Sequence, residues 1–105
     1  MKQDDQGGQE KIKVSVDPEI MDIVPGFLDN RKKDVMSMLE ALENGDYETI
    51  RMLGHSMKGS GGGYGFDTIS EIGNSIEQEA KNRNVKGIRR NIEELATYLE
   101  RIEIV

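Results

Sequence analysis

The chain has 105 residues, of which 20 are acidic and 14 basic, giving a net charge of −6 with one His and no Cys. This length suits a single domain, and the acidic balance argues against nucleic acid as a partner, because a phosphate-backbone reader needs a basic face. The lack of Cys excludes disulfides and thiolate metal sites, and one His leaves no His pair for zinc. No apolar run reaches the roughly 18 residues of a membrane span, and the polar N-terminus is no signal peptide, so we expect a cytoplasmic domain without a membrane partner.

The first residues predict a disordered or extended N-terminal arm over residues 1–16. Residues 1–10, MKQDDQGGQE, offer no apolar face to bury. Ile12, Val14 and Val16 alternate with polar residues, which is the period of a β-strand. A single short strand has no partner in this sequence, so we expect an extended segment and no sheet.

Helical periodicity governs residues 17–105. Asp17 and Pro18 are typical of a helix start, and Pro25 is expected to end this short helix at about Val24 and to open the next one, which should run to about Asn44. Four longer amphipathic helices follow, joined by short loops, and together they predict an all-α antiparallel four-helix bundle with a short additional N-terminal helix. The predicted core positions are Phe27, Leu28, Val35, Met38, Leu39 and Leu42; Ile50, Leu53, Met57 and Tyr64; Ile69, Ile72, Gly73, Ile76 and Ala80; and Ile88, Ile92, Leu95, Ala96, Leu99 and Ile102.

The most informative stretch reads RMLGHSMKGSGGGYG and carries the one His of the chain. On a helix, His55 lies about 140° around the axis from the core residue Ile50, so we expect it to face solvent. Arg51 and Lys58 share its face, and no Asp or Glu occurs over residues 49–66. The sequence therefore predicts a cationic surface suited to an anion or to an acidic partner.

The glycines of this stretch have two expected uses. Each interior glycine costs about 0.5–1 kcal/mol relative to alanine, so a bundle does not need them merely to fold. Gly59 and Gly62 follow His55 by four and seven residues, and they would clear space for another protein to reach the imidazole. Gly54 and Gly61 lie on the inner face, where they would let a neighbouring helix come close.

Simpler interpretations stay open beside this one. A lone surface His is most often only a surface residue, and GSGGGYG could be a flexible connector. The run matches neither the dinucleotide-binding fingerprint nor the P-loop pattern in register. The carboxylate pairs Glu77/Glu79 and Glu93/Glu94 have no substrate-binding surroundings, and we interpret them as surface charge.

The segment HSMKG at residues 55–59, followed by Gly65, resembles the H-x-x-K-G-x-x-x-x-x-G pattern of histidine-containing phosphotransfer (HPt) domains. The NGDY turn before this helix and the order of helices over about residues 17–104 are similar to that family as well. The resemblance implies that His55 accepts a phosphoryl group from an aspartyl-phosphate receiver domain, or from a histidine kinase, and passes it to a response-regulator receiver. It implies charge stabilisation by Lys58, an open approach at Gly59, and a turn into the next helix at Gly65.

The resemblance also implies partners and a mode of action. The Mg²⁺ ion and its acidic cluster belong to the receiver, so we expect no cofactor and no metal on this chain. A hybrid histidine kinase is a further expected partner, and the chain would be a monomeric phosphocarrier rather than a stand-alone enzyme. From the helix geometry we expect Arg51, Met52, Gly59 and Gly62 to form the docking surface.

Two other classes of protein remain as alternatives. A phosphoacceptor dimerisation domain of a sensor kinase also uses a helical His, but there an acidic residue usually follows, where Ser56 stands here. A non-catalytic helical adaptor would need no reactive group at all.

Overall fold

The computed structural model describes residues 10–105, so residues 1–9 of the predicted arm lie outside the described part. Four α-helices pack as a helical bundle, and no helix of residues 10–105 is long and apolar enough to cross a membrane. In chain order the elements are β1 (Ile12–Val14), a 3-10 helix (Pro18–Ile23), α1 (Val24–Glu43), α2 (Tyr47–Ser60), a second 3-10 helix (Gly62–Tyr64), α3 (Asp67–Lys81), α4 (Val85–Arg101) and β2 (Ile102–Ile104).

Polar side chains fix where the helices begin. The Asp46 carboxylate accepts a hydrogen bond from the Thr49 amide at 3.1 Å and so caps α2, and Asn84 caps α4 through the Gly87 amide at 3.2 Å. The segment Pro18–Ile23 is a 3-10 helix that runs directly into α1, whereas the sequence predicted a separate helix ended by Pro25. Pro25 occupies the first turn of α1, as predicted for a proline that opens the next helix, because a missing amide hydrogen costs nothing there.

The core lies between the four helices and contains the predicted apolar positions. Met38, Ile50, Met57 and Leu95 are fully buried, and the more peripheral predicted positions pack against them as partly buried residues. Phe66 was not predicted as a core residue, because it stands in the loop between two helices. It is fully buried and stacks on the Phe27 ring with 5.8 Å between the ring centroids.

The described part of the arm belongs to the fold, and the prediction of an unpaired strand is wrong. β1 pairs in parallel with β2, in a register that places Ile12 opposite Ile102 and Val14 opposite Ile104. The last helix also ends one residue before Ile102, which the sequence placed on that helix. The final residues, IEIV, are rich in β-branched side chains that favour extended backbone, but three paired residues are too short a pattern to recognise.

Helices α2 and α3 approach each other at glycine, as the inner-face glycines predicted. A Cβ atom added at Gly54 would lie 2.8 Å from the Glu77 amide nitrogen and 2.9 Å from the Gly73 carbonyl oxygen. One added at Gly73 would lie 2.7 Å from the Lys58 amide nitrogen. The two backbones are therefore in direct contact, and the side chains that follow on α3 lie within reach of the exposed face of α2.

Candidate functional site

His55 lies near the middle of α2 with its side chain 67% exposed, as the helical periodicity predicted. Its Nδ1 atom lies 3.0 Å from Oε2 of Glu77, a residue of α3. The imidazole is thus held by one hydrogen bond at one edge while most of the ring remains open to solvent.

The interpretation of Glu77 as surface charge is wrong, because its side chain is only 6% exposed. It is the one buried charged residue among residues 10–105. The physical reason is the contact between Gly54 and Gly73, since Glu77 stands one helical turn after Gly73 and therefore lies on the side of α3 that meets α2. That spacing from Gly73 is the signal in the sequence that could have identified it.

The hydrogen bond to Glu77 determines which ring nitrogen carries the proton. Burial raises the pKa of the Glu77 carboxyl, but the hydrogen bond and charge of His55, together with the charges of Lys58 and Lys81, outweigh burial, and the net pKa lies below its ordinary value of 4.5. Glu77 is therefore a carboxylate at neutral pH, and a carboxylate can only accept hydrogen bonds. Nδ1 of His55 must donate, which leaves the lone pair of the neutral ring on Nε2.

Two lysines flank this carboxylate from different helices. The ammonium nitrogen of Lys58, on α2, lies 3.7 Å from Oε1 of Glu77, and that of Lys81, on α3, lies 3.9 Å from Oε2. Both distances exceed an ordinary hydrogen bond, and both side chains are about half exposed. Oε1 is buried without a hydrogen-bond partner in the described part of the chain. The two charges therefore lower the pKa of Glu77 while the ammonium groups stay free to move.

Arg51 does not form the bare cationic rim that the sequence predicted. Its guanidinium donates two hydrogen bonds to the Glu48 carboxylate, at 3.0 and 2.6 Å, and these hold the pKa of Glu48 below its ordinary value. The absence of Asp and Glu over residues 49–66 was misleading, because Glu48 immediately precedes this interval and α3 supplies another carboxylate, that of Glu77. Met52, the other predicted docking residue on this helix, is 57% exposed.

Gly59 lies on α2, whereas Gly62 and Gly65 lie beyond the end of this helix. A Cβ atom at Gly59 would meet nothing within 4 Å, so this position leaves open space near His55. Gly62 was expected on the same helix face, but α2 ends at Ser60, and the Gly62 amide donates to the Ser70 hydroxyl at 2.8 Å. Gly65 has a φ of +88°, the left-handed conformation that glycine tolerates best, and it stands at the turn before α3.

Comparison with protein-family models gives a match over most of the chain. A family model described as the Hpt domain matches residues 22–104, which include the whole of α1 to α4 and therefore His55, Lys58 and Glu77. A search of curated proteins and a search of solved structures each found no match. Within residues 10–105, no group of three or more His, Asp or Glu side chains is arranged to hold a metal ion. The chain belongs to the Hpt domain family, whose members carry out histidine phosphotransfer in phosphorelay signalling.

Proposed function

We propose that this chain is a phosphocarrier that accepts a phosphoryl group on His55 from an aspartyl-phosphate receiver domain, or from a histidine kinase, and passes it to a response-regulator receiver. The observation that carries this proposal is the His55–Glu77 pair. An exposed imidazole donates Nδ1–H to a buried carboxylate 3.0 Å away, so its lone pair is on the nitrogen that Glu77 does not contact.

The proposed transfer step needs no reactant other than His55 and the aspartyl phosphate. Nε2 of His55 attacks the phosphorus atom, the Nε2–P bond forms, and the P–O bond to the aspartyl oxygen breaks. The aspartate leaves as a carboxylate with the electron pair of that bond. The ring keeps its hydrogen on Nδ1 and gains a positive charge, which the Glu77 carboxylate stabilises through a charge-assisted hydrogen bond. Transfer to the next receiver reverses these steps.

The other residues of the site stabilise the charge of the phosphoryl group and leave room for the partner protein to approach. Stabilising the charge of the transferring group is the main demand of phosphoryl transfer. Lys58 follows His55 by three residues, nearly one helical turn, and its half-exposed ammonium group is available for this role. Gly59 presents no side chain toward an approaching protein. Mg²⁺ and the carboxylates that bind it belong to the receiver, so this chain contributes neither a metal nor another cofactor.

The docking surface for the receiver is the face of α2 around His55, with Met52 as an exposed apolar contact and Arg51 and Gly62 at its edges. We propose that the chain acts as a cytoplasmic monomer, without nucleic acid or membrane as a partner. The phosphotransfer domain is an antiparallel bundle over residues 17–105, an arrangement that the short loops between its helices support.

Incubation with a panel of phosphorylated receiver domains tests the proposed function. We expect acid-labile label on this chain with at least one receiver, because a phosphoramidate bond hydrolyses in acid. His55→Gln removes the one His of the chain and must abolish the label completely. A label that survives in this variant, or wild-type protein that no receiver and no histidine kinase labels, would overturn the proposal.

A further inference from the structure

When His55 is phosphorylated, the positive charges of its ring and of Lys58 do not balance the negative charges around them. A phosphoryl group brings a charge of about −1.5 to −2 at neutral pH. The Glu77 carboxylate, buried and 3.0 Å from the imidazole, adds another negative charge at the same place. The positive charge of the phosphorylated ring and the charge of Lys58 together offset Glu77 and one unit of the phosphoryl charge, so a negative charge of about −0.5 to −1 would remain without an offset.

Arg51 does not supply the missing charge. Its Nε atom and one terminal nitrogen both donate to the Glu48 carboxylate, so the Arg51–Glu48 pair carries no net charge toward His55. A cation that serves the phosphoryl group must therefore come from another element of the fold.

Lys81 is such a cation. It follows Glu77 by four residues on α3, so its side chain lies on the same helix face. Its ammonium nitrogen is 3.9 Å from Oε2, the oxygen that accepts the hydrogen bond from Nδ1 of His55. Lys58 lies toward the other oxygen, Oε1, so the two lysines approach the carboxylate from its two ends.

Lys81 is also free to act on a second negative group. Its distance to Oε2 is longer than a hydrogen bond, its side chain is 50% exposed, and its long flexible stem lets the ammonium group shift. A lysine in the last turn of a helix often only stabilises the helix dipole. That ordinary role predicts a change in folding stability and no specific effect on phosphorylation.

We infer that Lys81 is a second charge-stabilising residue of the phosphotransfer site, which offsets Glu77 so that His55 can hold a phosphoryl dianion. This inference rests on the proposed function. Its test uses a small chemical donor in place of a receiver, so that the role of Lys81 and the proposed function can be refuted separately.

The test measures the rate at which potassium phosphoramidate labels His55, followed by ³¹P NMR. In this reaction the Nε2–P bond forms, the donor's P–N bond breaks, and ammonia leaves with the electron pair. The variants are Lys81→Met, Lys81→Arg and, as a control with the same change of charge, Lys86→Met at an exposed position of α4. Urea unfolding of each variant separately measures how much the lysine charge at the end of the helix contributes to folding stability.

We expect Lys81→Met to be labelled about fivefold more slowly than Lys86→Met at low salt, the size expected for one partly screened charge. Lys81→Arg should stay within about twofold of wild type, and the deficit of Lys81→Met should shrink in 1 M salt. Equal rates for the two Met variants, a deficit that 1 M salt leaves unchanged, or wild-type protein that phosphoramidate does not label would each overturn the inference. Failure of every receiver and kinase, with phosphoramidate labelling intact, would overturn the proposed function alone.

Discussion

The contact between α2 and α3 can be tested with two alanine substitutions on one helix. In Gly54→Ala the new Cβ would lie 2.8 Å from the Glu77 amide nitrogen, 2.9 Å from the Gly73 carbonyl oxygen and 3.0 Å from a methyl group of Ile76. Two of these three neighbours are backbone atoms, which cannot rotate away. The helices must separate by about 0.6 Å before the shortest contact reaches an ordinary 3.4 Å. Gly59→Ala is the matched control, because a Cβ there meets nothing within 4 Å.

The two substitutions are expected to change stability in opposite directions. Both gain about 0.5–1 kcal/mol of helix propensity, but Gly54→Ala also carries an overpacking cost of about 2–3 kcal/mol. The net change is a loss of about 1–2.5 kcal/mol for Gly54→Ala and a gain of about 0.5–1 kcal/mol for Gly59→Ala. With a urea dependence of about 1.5 kcal/mol per M, the unfolding midpoint falls by about 1 M in the first and rises by about 0.5 M in the second. If Gly54→Ala were as stable as wild type, α2 and α3 would not be in backbone contact at this point.

Three further predictions concern the site, a helix cap and the arm. Glu77→Leu removes the acceptor of Nδ1–H, so both tautomers of His55 become populated and phosphoramidate labelling should slow about tenfold; an unchanged rate would contradict the role of Glu77. The Thr49 hydroxyl and amide hold the pKa of Asp46 below 3.8, so its contribution to stability is complete above that pH and is lost as the pH falls through the lowered value. The urea midpoint of Asp46→Ala should therefore lie below that of wild type at pH 7, and the gap should narrow below pH 4; a gap independent of pH would refute this. Val16→Ala should cost about 1–2 kcal/mol, since this arm residue is 5% exposed, and an unchanged urea midpoint would mean that the arm does not pack on the bundle.

The sequence was sufficient for the helices and for the exposure of His55, because both follow from the spacing of apolar residues along a single helix. Ile50 and Met57 mark the buried side of α2, and an imidazole on its opposite side must meet solvent. The pairing of β1 with β2 could not be recognised in the same way. It joins two three-residue segments from opposite ends of the described chain, and no local pattern records that they meet.

The surroundings of His55 were predicted less well, because they depend on how two helices meet. Glu77 belongs to α3, and only the close approach at Gly54 and Gly73 turns an apparent surface carboxylate into a buried acceptor. Lys81 was missed for the same reason, since it lies more than twenty residues after His55 in the chain. A motif of consecutive residues records the helix that carries the reactive group, whereas its electrostatic environment comes from the neighbouring helix.

The role of the Glu77 hydrogen bond is tested by identifying which atom carries the phosphoryl group after transfer from a phosphorylated receiver. Protein labelled with ¹⁵N at His55 would show ³¹P–¹⁵N coupling to a single ring nitrogen. The hydrogen bond between Nδ1 and Glu77 predicts that this nitrogen is Nε2, with the hydrogen still on Nδ1. Coupling to Nδ1, or phosphorus bound anywhere other than His55, would contradict it.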